Sequence, residues 1–405
     1  MNDLIKRKYY IRQLEKLCGK HIIKVIVGFK RCGKSTLMEM FAQQLQESGI
    51  PPRCVQIYNF EKPWHSKDAD WYEIYHYIME QIEPEYMNYI FLDEPQRINE
   101  FERLLDALFA EKNIDLYITG SNASFLSGEI ATLLSGRYIN IPILPFSFSE
   151  YMEVFQKTNP ADKYIAFENY LYGTSLPQGT FFRQKEKNLR NRYVQDVFDT
   201  VIEKDIFYRY RIRNPQRFDV ITKYLMNNIG VLLSSNSISK VMSKDNKKIP
   251  YPAIDKYIGY LCDAFLFYPV SRFNIKGEQQ LLTREKYYLV DIGFRNAKTG
   301  KFLYRDTERI LENIVYLELY RRGYQIWAGN FHGHEIDFAV RNEDNTFEYY
   351  QVVWSVLNPE SRENKLKPLK AIYDDYPKYI LSTDMPSTDI NGVKHLNVID
   401  WLLND

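Results

Sequence analysis

Four cysteines in 405 residues are too few and too scattered to staple this chain together. Cys18, Cys32, Cys54 and Cys262 form no C-x-x-C pair and no zinc spacing, which argues against a disulfide framework and fits a reducing compartment. Excess charge is missing too. Fifty-three lysines and arginines face 52 aspartates and glutamates, a formal +1, so the chain as a whole is not steered towards nucleic acid and only a local patch could be. Nowhere do about 18 apolar residues run together, so no membrane span is expected. The opening MNDLIKRKYYIRQLEK carries no apolar signal core. These absences lead to the expectation of a cytoplasmic protein.

What is abundant is material for cores. Hydrophobic residues make up 45% of the chain, with 33 Tyr and 24 Phe, enough for two or three folded domains. The densest chemical signal lies early, in GFKRCGKST. Gly28, Gly33, Lys34 and Ser35 satisfy G-x-x-x-x-G-K-[ST], the Walker A spacing of a phosphate loop. The flanks agree. IIKVIVG (Ile22–Gly28) is a β-branched run that reads as a buried strand, and KSTLMEMFAQQLQES places Leu37, Phe41 and Leu45 on one helical face before Gly49. Strand, glycine loop and helix together let backbone N–H groups and a helix N-terminus surround a phosphate. Gly28, Arg31, Cys32, Gly33, Lys34, Ser35 and Thr36 are the candidate nucleotide-binding residues, with Lys34 reaching the β- and γ-phosphates and the Ser35 hydroxyl ligating Mg²⁺.

Two further strand ends join the argument. NYIFLDEPQ (Asn88–Gln96) ends in Asp93-Glu94, where an aspartate can hold Mg²⁺ and an adjacent carboxylate can polarise the attacking water. The other reading is an acidic pair opening a helix at Pro95. IDLYITGSNASFLSG (Ile114–Gly128) reads as a strand and a polar loop that would set Ser121 or Asn122 beside the γ-phosphate. In LLSGRYINIPILPFSFSEY (Leu133–Tyr151), Arg137 would neutralise transition-state charge in its own site or a neighbour's, or simply lie solvated on a loop.

In this order, GFKRCGKST, IFLDEPQ, ITGSN and LSGRYINIPILPFSFSEY resemble the AAA+ ATPases of bacteria and archaea, in particular a subgroup with a C-terminal domain of unknown function. EKDIFYRYRI, KYYLVDIGFRN, ENIVYLELYRRGYQIW and HEIDFAV extend the likeness over most of the chain. The resemblance implies an α/β fold: a P-loop ATPase core with a parallel sheet over residues 1–150, a helical and winged-helix domain over 151–290, and a restriction-endonuclease-like domain over 291–405. It also implies that Asp93 is the Walker B aspartate, Glu94 the catalytic glutamate and Asn122 the sensor residue after the fourth strand. Arg137 fits an arginine finger less securely. Cys32 stands where the loop requires no thiol; beside Lys34 and a helix N-terminus it is expected to be a reactive thiolate.

The later segments add candidates. Arg209, Arg211 and Arg213 alternate with Tyr208, Tyr210 and Ile212, a pattern that meets a nucleic-acid backbone or caps an amphipathic helix. Residues 236–273 read as a helix-turn-helix followed by LFYPVSRF and EKYYLVDI as a wing. The second helix offers only Lys256 as an exposed cation, which favours packing over base readout. The order of elements after residue 302 resembles a PD-(D/E)xK nuclease core. Glu312, Asp337 and Gln351 would take its acidic positions, and Val353 stands where a lysine is expected, with Lys365 or Lys367 as replacements. His332 and His334 beside Glu335 and Asp337 form a weaker metal pattern than a loop entering a strand.

The expectation is an ATP- and Mg²⁺-dependent hydrolysing switch whose nucleotide state moves the winged-helix and C-terminal domains against a protein or nucleic-acid partner. The alternatives are an ATP-regulated DNA-binding protein or nuclease, and a nucleotide-binding module without turnover.

Overall fold

The computed structural model describes residues 4–61, 70–123, 136–157, 162–182, 184–244, 249–300, 306–386, 389 and 392–404. Two compact units divide the chain, Met1–Pro145 with Asp263–Phe265, and Phe146–Cys262 with Leu266–Asp405. Among the described residues no helix is long and apolar enough to cross a membrane. Residues 62–69 and 124–135, which include part of the loop after the ITGSN strand, lie outside the described residues.

The first unit is a parallel five-stranded sheet covered by helices. Its strands are β1 (Ile23–Gly28), β2 (Val55–Asn59), β3 (Asn88–Asp93), β4 (Ile114–Gly120) and β5 (Tyr138–Ile143), ordered β2-β3-β4-β1-β5. Its helices are α1 (Lys8–Leu17), α2 (Lys34–Glu47), α3 (Trp71–Met79) and α4 (Phe101–Ala110). A parallel sheet buried on both faces needs strands apolar throughout, and β1 and β4 are buried at every position. The period-two alternation still sorts β1: Ile23, Val25 and Val27 join the core shared with α3 and α4, while Ile26 faces the α1 and α2 side.

Lys24 is the exception within β1. Fully buried, it pairs with Asp115 of β4, which also accepts from the Gly19 N–H and the Tyr117 hydroxyl, each at 2.8 Å. The salt bridge joins β1 to β4, and the bonds from Gly19 N–H to Asp115 and from Lys24 to the Lys20 carbonyl fasten the turn between α1 and β1 to the sheet. Because β1 lies between β4 and β5 while the chain leaves it for distant β2, its carboxyl end is a topological switch point, where open α/β sheets place ligands.

The second unit begins with helices. These are α5 (Phe148–Gln156), α6 (Lys163–Tyr172), α7 (Lys187–Thr200), α8 (Pro215–Asn227), α9 (Ser235–Lys244) and α10 (Tyr251–Asp263). A π-helical segment, Val201–Phe207, carries α7 on to Tyr210, and Arg211 at φ +49° ends it. Next come β6 (Phe267–Asn274), β7 (Gln279–Leu289), α11 (Ile292–Thr299), α12 (Thr307–Arg321), β8 (Gln325–Phe331), β9 (His334–Arg341), β10 (Phe347–Val352), α13 (Pro359–Lys370), β11 (Lys378–Ser382), β12 (Lys394–Asn397) and α14 (Val398–Leu403).

Helices α9 and α10 lie at the positions expected for the two helices of the helix-turn-helix, but the two strands read as its wing do not stand apart. β6 and β7 form a hairpin, and β6 also pairs in parallel with β8, Phe273 opposite Gly329. The result is one seven-stranded sheet, β12-β11-β10-β9-β8-β6-β7. The boundary expected at residue 290 therefore falls inside a continuous unit. The reason is burial: Phe267, Val270 and Phe273 are apolar residues that the sheet covers, whereas a wing would leave them at an exposed edge.

Candidate nucleotide site

Each polar side chain of the candidate site sits at the carboxyl end of a parallel strand or opens the helix after it. Gly28 ends β1, and its reason for being glycine lies in the sheet. A Cβ there would stand 2.1 Å from the Ile143 carbonyl oxygen of β5. Arg31 and Gly33 take left-handed backbone at φ +69° and +100°, turning the loop so that α2 starts at Lys34. The Lys34 ammonium is buried and folds back over the loop, donating to Gly28 O at 3.2 Å and Phe29 O at 3.3 Å, and lies 3.7 Å from Glu94 Oε1.

Asp93 ends β3 and is almost fully buried. Thr119 Oγ1 donates to Asp93 Oδ1 at 2.6 Å, Asn59 Nδ2 donates to Oδ2 at 2.8 Å, and the Ser35 hydroxyl bonds the same carboxylate. Burial pushes the Asp93 carboxyl above its ordinary range, and the Thr119 and Ser35 hydroxyls partly offset that rise. Glu94 has left-handed backbone at φ +57°, a conformation that costs a non-glycine residue of order 1–3 kcal/mol and persists where surroundings enforce it. Here the enforcement is visible. The Glu94 N–H donates to Thr119 Oγ1 at 2.9 Å, and Glu94 Oε2 accepts from Ser121 Oγ at 3.0 Å and from Gln96 Nε2.

Thr119 thus accepts from one residue of the acidic pair and donates to the other. Neither it nor Asn59 stood out in the sequence. The only available signal was position, a polar residue at the end of an apolar strand.

The structure gathers Lys34, Ser35, Asp93 and Glu94 into one hydrogen-bonded group. The hydroxyl that meets Glu94 belongs to Ser121, and Asn122 is buried beside it. Thr36 is half-buried in the first turn of α2, and Arg31 is exposed. Pro95–Arg97 forms a short 3-10 turn, so the acidic pair does not open a solvated α-helix. The hard oxygen donors of Ser35 and Asp93 are the ligand chemistry Mg²⁺ requires.

Two expectations need correction. Arg137 lies just before β5, where its carbonyl accepts from the N–H of Ile23, the first residue of β1. In a parallel sheet that is the amino edge, roughly 16 Å of strand away from Gly28. Its guanidinium pairs with Asp106 at 2.6 Å. The arginine does not serve the site of its own chain.

Cys32, expected as a reactive thiolate, is instead a fully buried thiol. It packs in the α1–α2 core, with Sγ 3.2 Å from a Cβ built on Gly28. Burial pushes its pKa up more than Lys34 and Arg7 pull it down. Iodoacetamide should therefore label the half-buried Cys18 and Cys262 while Cys32 stays unmodified in the native protein. Mass mapping of the labelled peptides measures this, and stoichiometric native labelling of Cys32 would restore the thiolate reading.

The second unit holds another charged group. Lys286 of β7 is 1% exposed and lies 2.8 Å from Glu312 Oε1 of α12 and 2.7 Å from Glu335 Oε1 of β9. Tyr288 also donates to Glu312 Oε1, at 2.6 Å. Lys365 of α13 pairs with Asp337 Oδ2 at 2.7 Å, and that oxygen also accepts from the Val352 N–H. Gln351 donates to Glu335 O at 3.0 Å, while its own buried Oε1 has no hydrogen-bond donor among the described residues.

Glu312 and Asp337 thus lie close enough to influence each other, Lys365 pairs with Asp337, and Gln351 is held on the backbone of Glu335. Val353 is buried in the apolar cluster with Leu366, Leu369 and Ile380. The histidine pattern is a hairpin turn: His332 has φ +50°, and His332 and His334 are exposed. Among the described residues no three His, Cys, Asp or Glu side chains are arranged to hold a metal ion. In the tyrosine-arginine stretch, Tyr208, Arg209, Arg211 and Arg213 are exposed, whereas Tyr210 is stacked on Tyr260 of α10 at 3.9 Å.

Residues 20–152 match an AAA domain, and residues 166–303 match a domain of unknown function (DUF8612). An uncharacterised protein of Haemophilus influenzae is 33% identical over 99% of this chain and 99% of its own. This chain and the Haemophilus protein belong to one family, and the match over residues 20–152 supports an AAA+ domain there. An uncharacterised protein of Methanocaldococcus jannaschii is 28% identical over 70% of this chain and 65% of its own. Among solved structures, a Walker-type ATPase of Pyrococcus abyssi is similar at 14% identity, with a TM-score of 0.48 over 73% of this chain and 96% of that one. The AAA match ends close to where the first compact unit ends, so the five-stranded sheet and its phosphate loop are the AAA+ part of the chain.

Proposed function

We propose that this AAA+ chain is a magnesium-dependent ATPase working as a switch, its nucleotide state repositioning residues 146–405 against a protein or nucleic-acid partner. The observation that carries the ATPase reading is the convergence of Lys34, Ser35, Asp93, Glu94, Thr119 and Ser121 at the carboxyl ends of β1, β3 and β4. Lys34 would bind the β- and γ-phosphates. Ser35 and Asp93 would hold Mg²⁺, which supplies charge neutralisation at the phosphates when bound. Glu94 would orient and deprotonate the attacking water, with Ser121 fixing its carboxylate and Asn122 the candidate sensor beside it. Arg137 would act only in the site of a neighbouring copy.

The switch reading takes support from the way Thr119 joins Asp93 to Glu94. Whatever engages the Asp93 carboxylate shifts the hydroxyl that also accepts the Glu94 backbone N–H.

A nuclease in the second unit is the alternative, and Lys365 beside Asp337 favours it. Against it, Lys286 and Lys365 already neutralise the carboxylates a metal would need. The test of the ATPase reading is phosphate release from ATP by the purified chain with Mg²⁺ and with EDTA. Magnesium-dependent release supports it. No release and no ATP binding would refute it, and binding without release would leave the nucleotide-dependent module.

A further inference from the structure

We infer that Arg7, outside any recognised nucleotide motif, is a positioning residue that holds the phosphate loop in its binding shape. The inference rests on the nucleotide-site reading above. Arg7 directly precedes α1 and is 3% exposed, so its charge must be met by protein groups. Its guanidinium spreads over two distant parts of the chain. Nη1 donates to Cys32 O in the phosphate loop at 2.9 Å, and Nη2 donates to Leu144 O at 2.9 Å and Pro145 O at 3.3 Å, just beyond β5. The ring of Tyr10 lies 4.6 Å from the guanidinium carbon, and the Tyr10 hydroxyl accepts from the Leu144 N–H at 3.1 Å.

The geometry of the peptide group gives this contact its consequence. In a trans peptide the C=O and the following N–H point in opposite directions. Pinning Cys32 O to Arg7 therefore turns the Gly33 N–H away from Arg7, to the side from which a phosphate meets the start of α2. Gly33, which supplies its N–H, and Arg31, one residue before it, are both left-handed. Consecutive N–H groups in such a turn form an anion-binding concavity only while each peptide keeps its orientation. Without the guanidinium the Cys32 carbonyl is a buried acceptor missing its charged donor, and rotation of the 32–33 peptide becomes its way to regain one. A lysine cannot substitute, because one ammonium does not span the loop carbonyl and the two strand-end carbonyls as the planar fork does.

The test uses the full chain with Arg7→Met and Arg7→Lys. ATP and ADP dissociation constants are measured by titration, steady-state hydrolysis by phosphate release, and folding by circular dichroism. Both variants are expected to weaken ATP and ADP together by roughly tenfold to a hundredfold. KM should rise correspondingly and kcat at saturating ATP should stay within about twofold, the signature of lost ground-state binding. A folded variant of either kind with wild-type ATP affinity would overturn the inference, as would a fall in kcat at unchanged KM. Should Arg7→Met not fold, Arg7→Lys decides alone. If the wild-type chain binds no nucleotide, the site reading itself has failed, an outcome distinct from wild-type binding that the Arg7 variants leave untouched.

Discussion

Replacing Lys34 with alanine is expected to cost ATP binding itself, whereas Glu94→Gln should keep the nucleotide and lose its turnover. The contacts of Lys34 explain the split. The Lys34 ammonium is shared among the Gly28 and Phe29 carbonyls and the Glu94 carboxylate at 3.2, 3.3 and 3.7 Å, contacts that phosphate oxygens would replace. Loss of a buried cation from a polyphosphate site removes charge-assisted bonds worth about 2–4 kcal/mol, roughly thirtyfold to a thousandfold in affinity.

Glu94→Gln removes a general base, which is worth about 10²–10⁴ in rate. It also removes the carboxylate 3.7 Å from the Lys34 ammonium, so ATP affinity should hold or improve. Equilibrium titration beside single-turnover hydrolysis separates the two. Wild-type turnover in Glu94→Gln would pass the base to another group, and unchanged ATP affinity in Lys34→Ala would remove the loop from the phosphates.

This pair of residues was legible because its chemistry is tied to spacing. Four loop residues at fixed intervals between a β-branched strand and an amphipathic helix specify one local backbone, and an Asp-Glu pair closing an apolar strand specifies another. What escaped was set by contacts between segments far apart in sequence. Gly28 carries the motif, yet its immediate constraint is the Ile143 carbonyl of β5, which no local pattern shows. Which way Cys32 points depends on α1 and α2 closing over it.

Arg137 was closer to legible. It precedes its strand, and in a parallel sheet that alone assigns it to the edge away from the phosphate loop. The supposed wing failed for a physical reason of the same kind. Local alternation predicts that β6 and β7 are strands, but the pairing of β6 with β8 joins residues more than fifty positions apart. Glu312 and Asp337 were singled out from the sequence, while Lys286, which pairs with Glu312 and Glu335, was missed because it looks like one more charged residue in the Arg284-Glu285-Lys286 run of β7.

That lysine leads to the largest expected change in stability. Lys286→Met should destabilise the second unit by about 3–5 kcal/mol, the cost of removing one partner from a buried ion pair, and lower the urea midpoint of that unit by roughly 1–2 M. Lys286 is 1% exposed and holds Glu312, itself buried, together with the half-exposed Glu335. Glu335 can turn to water when the ammonium is gone; Glu312 cannot.

Burial already pushes the Glu312 carboxyl upward, and Lys286 is the first influence holding it down. Without that lysine the folded-state pKa of Glu312 rises further above the value of about 4.3 it has in an unfolded chain. A carboxyl raised in this way is penalised increasingly as pH climbs above the unfolded value, so the variant should regain stability, relative to wild type, towards pH 4–5. The lysine behaves in the opposite sense in the intact protein. The carboxylates raise its pKa in spite of burial, so its contribution is complete below an unfolded value of about 10.4 and undiminished through neutral pH.

Adding Glu312→Leu to Lys286→Met should recover a large part of the loss, because no buried charge is then left uncompensated. Urea unfolding of the wild type, the single variant and the double variant at pH 5 and pH 7.5 measures all three effects. A single variant equally destabilised at both pH values, with no recovery in the double variant, would mean that Lys286 acts by packing its stem and not by compensating Glu312.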